Sequence, residues 1–139
     1  MKYVICGGTG FIGSELAKYW LQAGDEAIIV GRNQPRTAIA HPKLSYHTWD
    51  SLKDDPTPAE NADALINLAG ASLSQRWSPR GKKAIMESRL ATVSAAAKLI
   101  ETLEHKPSVV IQASAVAIYG TSLQDTFTES SLAHVMDFP

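Results

Sequence analysis

The sequence predicts a doubly wound α/β domain, a parallel sheet with helices on both faces, and a sheet that is incomplete. Three observations carry this. Short apolar runs at 3–6, 27–30, 63–69 and 108–113 read as buried strands. Helical stretches alternate with them, the pattern of crossover-connected parallel strands. The first run also ends in a glycine-spaced turn that opens onto a helix.

Tyr3 to Cys6 is stopped by Gly7 and Gly8, as a strand running into a turn would be. In the next segment Phe11, Ile12, Leu16, Tyr19 and Trp20 fall near the i, i+4, i+8 spacing of one helix face, and Gly24 stands where a left-handed cap is wanted. Ala27 to Val30 forms the second strand, stopped by Gly31; a proline-punctuated connection leads to Leu44–Trp49, the third. Asp63 to Ala69 is a fourth. After a polar loop the longest helix begins near Ser78 and Pro79, where proline suits a first turn, and ends at Lys106 and Pro107. Within it Val93, Ala96, Ala97, Ile100 and Leu103 define one apolar face. Ser108 to Ala113 is the fifth strand, its Val109, Val110 and Ile111 too continuous for one side to face water. The strand near Tyr3 should lie in the middle of the sheet, and the strand near Val109 beside that near Leu65.

We divide the chain into a nucleotide-binding domain over 1–120 and an irregular tail over 121–139 that leads towards a substrate region outside this sequence. The tail is polar and turn-like, which is uncommon inside a compact domain unless it is functional or interrupted. The 13 basic and 14 acidic residues nearly cancel and are interspersed, which argues against a nucleic-acid partner. No stretch approaches the roughly 18 consecutive apolar residues of a membrane span, and the N-terminus lacks a secretory signal. Cys6 is the lone cysteine and sits in an apolar run. A soluble protein of a reducing, cytoplasmic compartment is expected.

Gly7, Gly10 and Gly13 form G-x-x-G-x-x-G directly after a strand and at a helix start, the context in which this weak pattern becomes informative. The first glycine permits the tight turn, the second lets backbone approach a pyrophosphate, and the third allows the helix to pack close on the sheet. Free N–H groups at the helix start, over Phe11, Ile12 and Gly13, favour phosphate charge, and Thr9 can add a hydroxyl. The motif lacks the Lys-Ser/Thr ending of a triphosphate loop: Ser14 and Glu15 follow Gly13.

A dinucleotide with a free ribose 2′-hydroxyl is usually held by a carboxylate at the end of the second strand. Here that place reads Val30, Gly31, Arg32, Asn33, without a carboxylate. Arg32 offers a planar fork suited to a 2′-phosphate, so NADP is the expected cofactor; its alternative is that of an ordinary solvated loop arginine.

The segments CGGTGFIG at 6–13, NLAG at 67–70, RWSPRGKKAIMESRL at 76–90 and SAVAIYG at 114–120 resemble an atypical branch of the extended short-chain dehydrogenase/reductases, the epimerase-like proteins of the bacterial YfcH type. The Arg-Trp element followed by Ser88-Arg89 is the more specific mark. The resemblance implies a Rossmann fold binding NADP, with Gly31 and Arg32 near the 2′-phosphate, Leu68, Ala69 and Gly70 along the cofactor, and Arg89 as a further contact. Leu68 and Ala69 also read as plain core, and Arg89 as a surface partner of Glu87 or Glu101.

That superfamily's chemistry uses a Ser or Thr, a Tyr base and a Lys four residues after the Tyr. None of Tyr3, Tyr19, Tyr46 and Tyr119 is followed by lysine at that distance. The position four residues before Tyr119 is Ala115, with Ser114 one earlier, and Tyr119 reads as a pocket wall rather than the base. No catalytic residue and no metal site are assigned. The implied function is the NADP(H)-binding part of an epimerase/oxidoreductase-like protein acting on a small molecule, a nucleotide sugar among the candidates. The alternative is a catalytically inactive NADP-binding or sensing module, and the chain alone is expected to bind without turnover.

Overall fold

The structure, a computed structural model, describes residues 1–74, 76–120 and 122–133. Five strands form one parallel sheet: β1 (Lys2–Cys6), β2 (Glu26–Gly31), β3 (Leu44–Thr48), β4 (Ala64–Asn67) and β5 (Val109–Gln112), in the order β3-β2-β1-β4-β5. This is a Rossmann-like arrangement, with β1 central and β5 beside β4 as the sequence predicts. The chain winds outward from β1 first to one side and then to the other. The carboxyl ends of β1 and β4 therefore flank the point where the order reverses, the place where open α/β sheets bind ligands.

Helices cover both faces. On one, α1 (Phe11–Gln22) packs Ala17 and Leu21 against Ile5, Ala27 and Ile29. On the other, α2 (Trp49–Asp54) and α3 (Pro79–Thr102) supply Leu52, Ala96 and Leu99 to a core with Val4, Cys6, Ile28, Val30 and Leu65. Each fully buried aliphatic side chain here contributes on the order of 2 kcal/mol relative to exposure. Cys6 lies in that core with no exposed surface, and burial pushes its thiol pKa up to about 12.

The helix ends follow from local chemistry. Gly24, at φ +83°, closes α1: its N–H donates to the Leu21 carbonyl at 3.0 Å and that of Asp25 to the Trp20 carbonyl at 2.9 Å, the paired bonds of a left-handed glycine cap. Ser78 caps α3 by accepting the Gly81 N–H at 3.2 Å, with Pro79 in the first turn. At its far end Lys106 Nζ donates to the Ile100 and Leu103 carbonyls, both at 3.0 Å. Just beyond, the Glu60 carboxylate accepts the N–H groups of Glu104 and His105 at 2.8 and 3.0 Å. These bonds tie the end of α3 to the connection before β4.

Four expectations are corrected. The buried stripe of α1 is Gly13, Ala17 and Leu21, whereas Phe11, Ile12 and Tyr19 are exposed. Small residues win that face because α1 lies close on the sheet. In α3 the buried face is Ile85, Ala96, Leu99 and Leu103, with Ile100 at its edge; Val93 and Ala97 face outward. Trp49 opens α2 instead of closing β3, because Thr48 and Ser51 form reciprocal hydrogen bonds that cap a helix. Finally, β5 is exposed along its whole length, about half exposed at Val109, Val110 and Ile111, since nothing among the described residues covers it.

Residues 116–119 form a short 3-10 helix, and 122–133 contain only turns and bends. Thr121 and residues 134–139, which the sequence reading assigns to the irregular tail, lie outside the described residues. No helix among the described residues is long and apolar enough to cross a membrane.

Candidate cofactor-binding cleft

The cleft is built from three strand ends, the starts of α1 and α2, and one side of α3. At the end of β1 the Gly7 N–H donates to the Val30 carbonyl at 2.8 Å, so the turn stays stitched to β2 as it leaves the sheet. Gly7 has φ +79°, and a Cβ there would stand 2.9 Å from both the Cα and the N of Ala69. Backbone of the β1 turn and backbone after β4 thus touch without a side chain between them. At Gly13 a Cβ would lie 2.6 Å from Gly8 Cα and 2.9 Å from the Gly7 carbonyl oxygen, so this glycine lets α1 start directly on the turn.

Gly10 caps α1 and differs from both. A Cβ on it would meet only the Gly7 carbonyl oxygen, at 3.3 Å, and would otherwise project into open cleft. The fold does not require a glycine there. Immediately after it, the N–H groups of Phe11, Ile12 and Gly13 have no intrahelical acceptor. The first helical bond runs from Ser14 to the Gly10 carbonyl at 2.9 Å. Phe11 and Ile12 themselves are 89% and 61% exposed, so only their backbone is turned to the helix start.

A cavity of about 500 Å³ opens over these strand ends. It is lined by Gly7, Thr9, Gly10, Gly31, Arg32, Leu68, Ala69 and Gly70, which are eight of the twelve residues predicted from sequence. Phe11, Ile12, Gly13 and Arg89 are not on its wall; the first three stand at the helix start beside it. Leu68 and Ala69 serve twice, since each also packs against a core cluster. Arg32 is exposed and, among the described residues, forms no ion pair. The end of β2 carries no carboxylate, so Arg32 offers the cleft an uncompensated positive charge there.

Arg89 lies at the rim. Its guanidinium packs on Gly70, where a Cβ would be 3.4 Å from Arg89 Cζ, and its Nη1 donates to the carbonyls of Ala71 at 3.2 Å and Ile85 at 3.3 Å. The surface pairing with Glu87 or Glu101 does not form; Glu87 sits 3.7 Å from Lys83 instead. Tyr119 is not a wall of this cavity and stacks on Phe127 with ring centroids 5.9 Å apart.

The walls missed by sequence reasoning are Trp49, Ala71, Ser88, Ala91, Thr92 and Ala95. Trp49 was hidden by its place at the end of an alternating strand pattern, although Thr48 and Ser51 at cap spacing were a usable signal. The α3 residues have no local signal, because only packing decides which helix face turns towards the cleft. A second cavity of about 340 Å³ lies between α2 and α3 and shares Trp49, Ala91 and Ala95 with the first.

Residues 3–136 match the NAD dependent epimerase/dehydratase family. The chain belongs to that family. An epimerase family protein of Staphylococcus saprophyticus is 41% identical over 136 residues, covering 98% of this chain and 45% of the relative. Bacillus subtilis YfhF, also an epimerase family protein, is 38% identical over 141 residues, with 99% and 45% covered. Among solved structures, human epimerase family protein SDR39U1 (isoform 2) with NADPH superposes with TM-score 0.83 at 32% identity, covering 99% of this chain and 44% of that one. UDP-glucose 4-epimerase from Bifidobacterium longum, in complex with NAD+ and UDP, shares the fold, with TM-score 0.76 at 19% identity over 97% of this chain and 43% of that one. The chain spans a little under half the length of the relatives it matches; of the two solved structures, the human protein holds NADPH and the Bifidobacterium longum enzyme NAD+.

Proposed function

We propose that this chain is the NADP(H)-binding part of an epimerase/oxidoreductase-like protein, in the branch of the YfcH type. The observation that carries the reading is the end of β2. There the exposed Arg32 stands on the cleft wall, and none of the described residues that line the cleft is a carboxylate. The cleft fits a dinucleotide in three respects. Gly10 leaves room where a side chain would intrude, the start of α1 offers free N–H groups to a pyrophosphate, and the backbone at 68–70 forms a floor along which the rest of the cofactor can lie. When bound, the nicotinamide supplies hydride transfer; the residues named here bind and orient it. NADPH in the structure of human SDR39U1 supports the choice of cofactor. A reducing, cytoplasmic setting is part of the proposal and is supported by the lone, buried thiol of Cys6.

Titrating the purified chain with NADPH and NADH, by quenching of tryptophan fluorescence or calorimetry, tests the reading. NADPH should bind more tightly. Arg32→Ala should weaken NADPH roughly 10- to 100-fold, the worth of a charge-assisted hydrogen bond, and leave NADH nearly unchanged. Equal weakening of both, or tighter NADH binding by the unmodified chain, would remove the 2′-phosphate role from Arg32.

A further inference from the structure

The floor of the cleft, residues 69–71, is held by side chains from two adjacent turns of one helix. Thr92 Oγ1 donates to the Ala69 carbonyl at 3.1 Å. Ser88 Oγ accepts the Ala71 N–H at 2.9 Å, and Arg89 Nη1 donates to the Ala71 carbonyl at 3.2 Å while its side chain lies along Gly70. Each of the three is also anchored within α3. Ser88 Oγ and Arg89 Nη1 both reach the Ile85 carbonyl, at 2.9 and 3.3 Å, and Thr92 Oγ1 shares its one proton between the Ala69 carbonyl and that of Arg89, at 3.0 Å. From the other side, Asn67 Oδ1 accepts the Ala69 N–H at 3.2 Å and the glycine turn abuts Ala69 through Gly7.

We infer that Ser88, Arg89 and Thr92 act as a clamp, positioning residues that fix the 69–71 backbone against the glycine turn and so set the affinity of the cleft for its cofactor. The inference rests on the cofactor reading above. The last bond to a neighbouring strand is that of the Leu68 N–H to the Cys6 carbonyl at 2.9 Å; residues 69–71 lie beyond it, in neither helix nor strand, so ladder bonds do not hold them. A loop of this kind samples many conformations unless its peptide groups are bonded. The clamp supplies those bonds from a helix already anchored in the core by Ile85, Ala96 and Leu99. It also gives Arg89 a task distinct from contact with the cofactor: its Nη1 works on the protein's own carbonyls.

Amide hydrogen exchange on the full cofactor-free chain tests the clamp without any binding. In Ser88→Ala, exchange at the Ala71 N–H should accelerate roughly 3- to 10-fold, the effect of losing one neutral hydrogen bond, while the β1 and β4 amides and the melting temperature stay near those of the parent. Thr92→Val removes the hydroxyl at constant shape and should raise exchange at Gly70 and Ala71 similarly. NADPH affinity should fall roughly 3- to 10-fold in each. Arg89→Lys separates the two roles of the arginine, since it keeps the charge but not the reach of Nη1. Under the clamp it loosens 69–71 as Arg89→Ala does; rescue of both exchange and affinity by lysine would instead make Arg89 a charge contact only. Unchanged exchange at 69–71 in Ser88→Ala and Thr92→Val overturns the clamp, and so does acceleration spread over the whole sheet with a lowered melting temperature. If the parent chain binds neither nucleotide, the cofactor reading fails while local exchange still decides whether the clamp exists.

Discussion

The three glycines of the motif stand in three different surroundings, and substitution should separate them. At Gly13 an added methyl would face backbone on two sides, Gly8 Cα at 2.6 Å and the Gly7 carbonyl oxygen at 2.9 Å, and backbone cannot rotate out of the way. Gly13→Ala should therefore lower stability by roughly 1–3 kcal/mol, the usual cost of overpacking, and displace the turn as well. Gly10→Ala should leave the unfolding free energy within about 0.5 kcal/mol of the parent and act on cofactor binding alone. Urea unfolding beside an NADPH titration reads both effects. Equal loss of stability in the two variants would show that Gly10, too, serves the fold. At this scale the motif's spacing was legible in the sequence, and so was the absence of a carboxylate beside Arg32. The partners of Arg89 were not, because its chain neighbours Glu87 and Glu101 are closer in sequence than the Ala71 carbonyl that it meets in space.

Between elements, the tie at the far end of α3 has a definite pH signature. The Glu60 carboxyl is held below its ordinary pKa, first by the N–H of His105 and then by that of Glu104, with the charge of His105 a smaller contribution. A carboxylate with a depressed folded-state pKa adds stability above the unfolded value, about 4.3, and loses it as pH falls through the folded value. Glu60→Gln should accordingly lower the urea midpoint at neutral pH, since an amide accepts at one atom only and turns its NH2 towards the second donor. The difference should close below about pH 4 as the parent's own carboxyl protonates. A gap independent of pH would mean that shape, not charge, makes the tie. Element order and sheet topology were readable from alternating apolar runs. What sequence pattern misassigned were helix faces, because α1 buries Gly13 and Ala17, small residues that carry little hydrophobic signal, and leaves Phe11 and Tyr19 outside. The brevity of α2 hid it as well: six residues are too few for a period to declare itself.

On the scale of the molecule, β5 presents aliphatic side chains and a backbone edge that pairs with no strand among the described residues, and the relatives that match this chain are about twice its length. The continuity of Val109, Val110 and Ile111 was legible as a strand for a buried place, whereas what covers it belongs to no residue among those described. The core itself, by contrast, is closed, and the cysteine within it makes the chain its own reporter. Cys6 belongs to the central strand, has no exposed surface, and its thiol is kept protonated by burial. A disulfide reagent can reach it only when β1 separates from its neighbours, so the rate of labelling counts openings of the whole sheet. In the folded chain that rate should be at least about 10³-fold below the rate in denaturant, given the stability ordinary for a domain. NADPH at about 100 times its dissociation constant should slow it roughly another 100-fold. Labelling of the folded chain at the denatured rate would contradict the closed core. The slow thiol thus offers a clock by which ligands for this cleft can be found without any knowledge of a reaction.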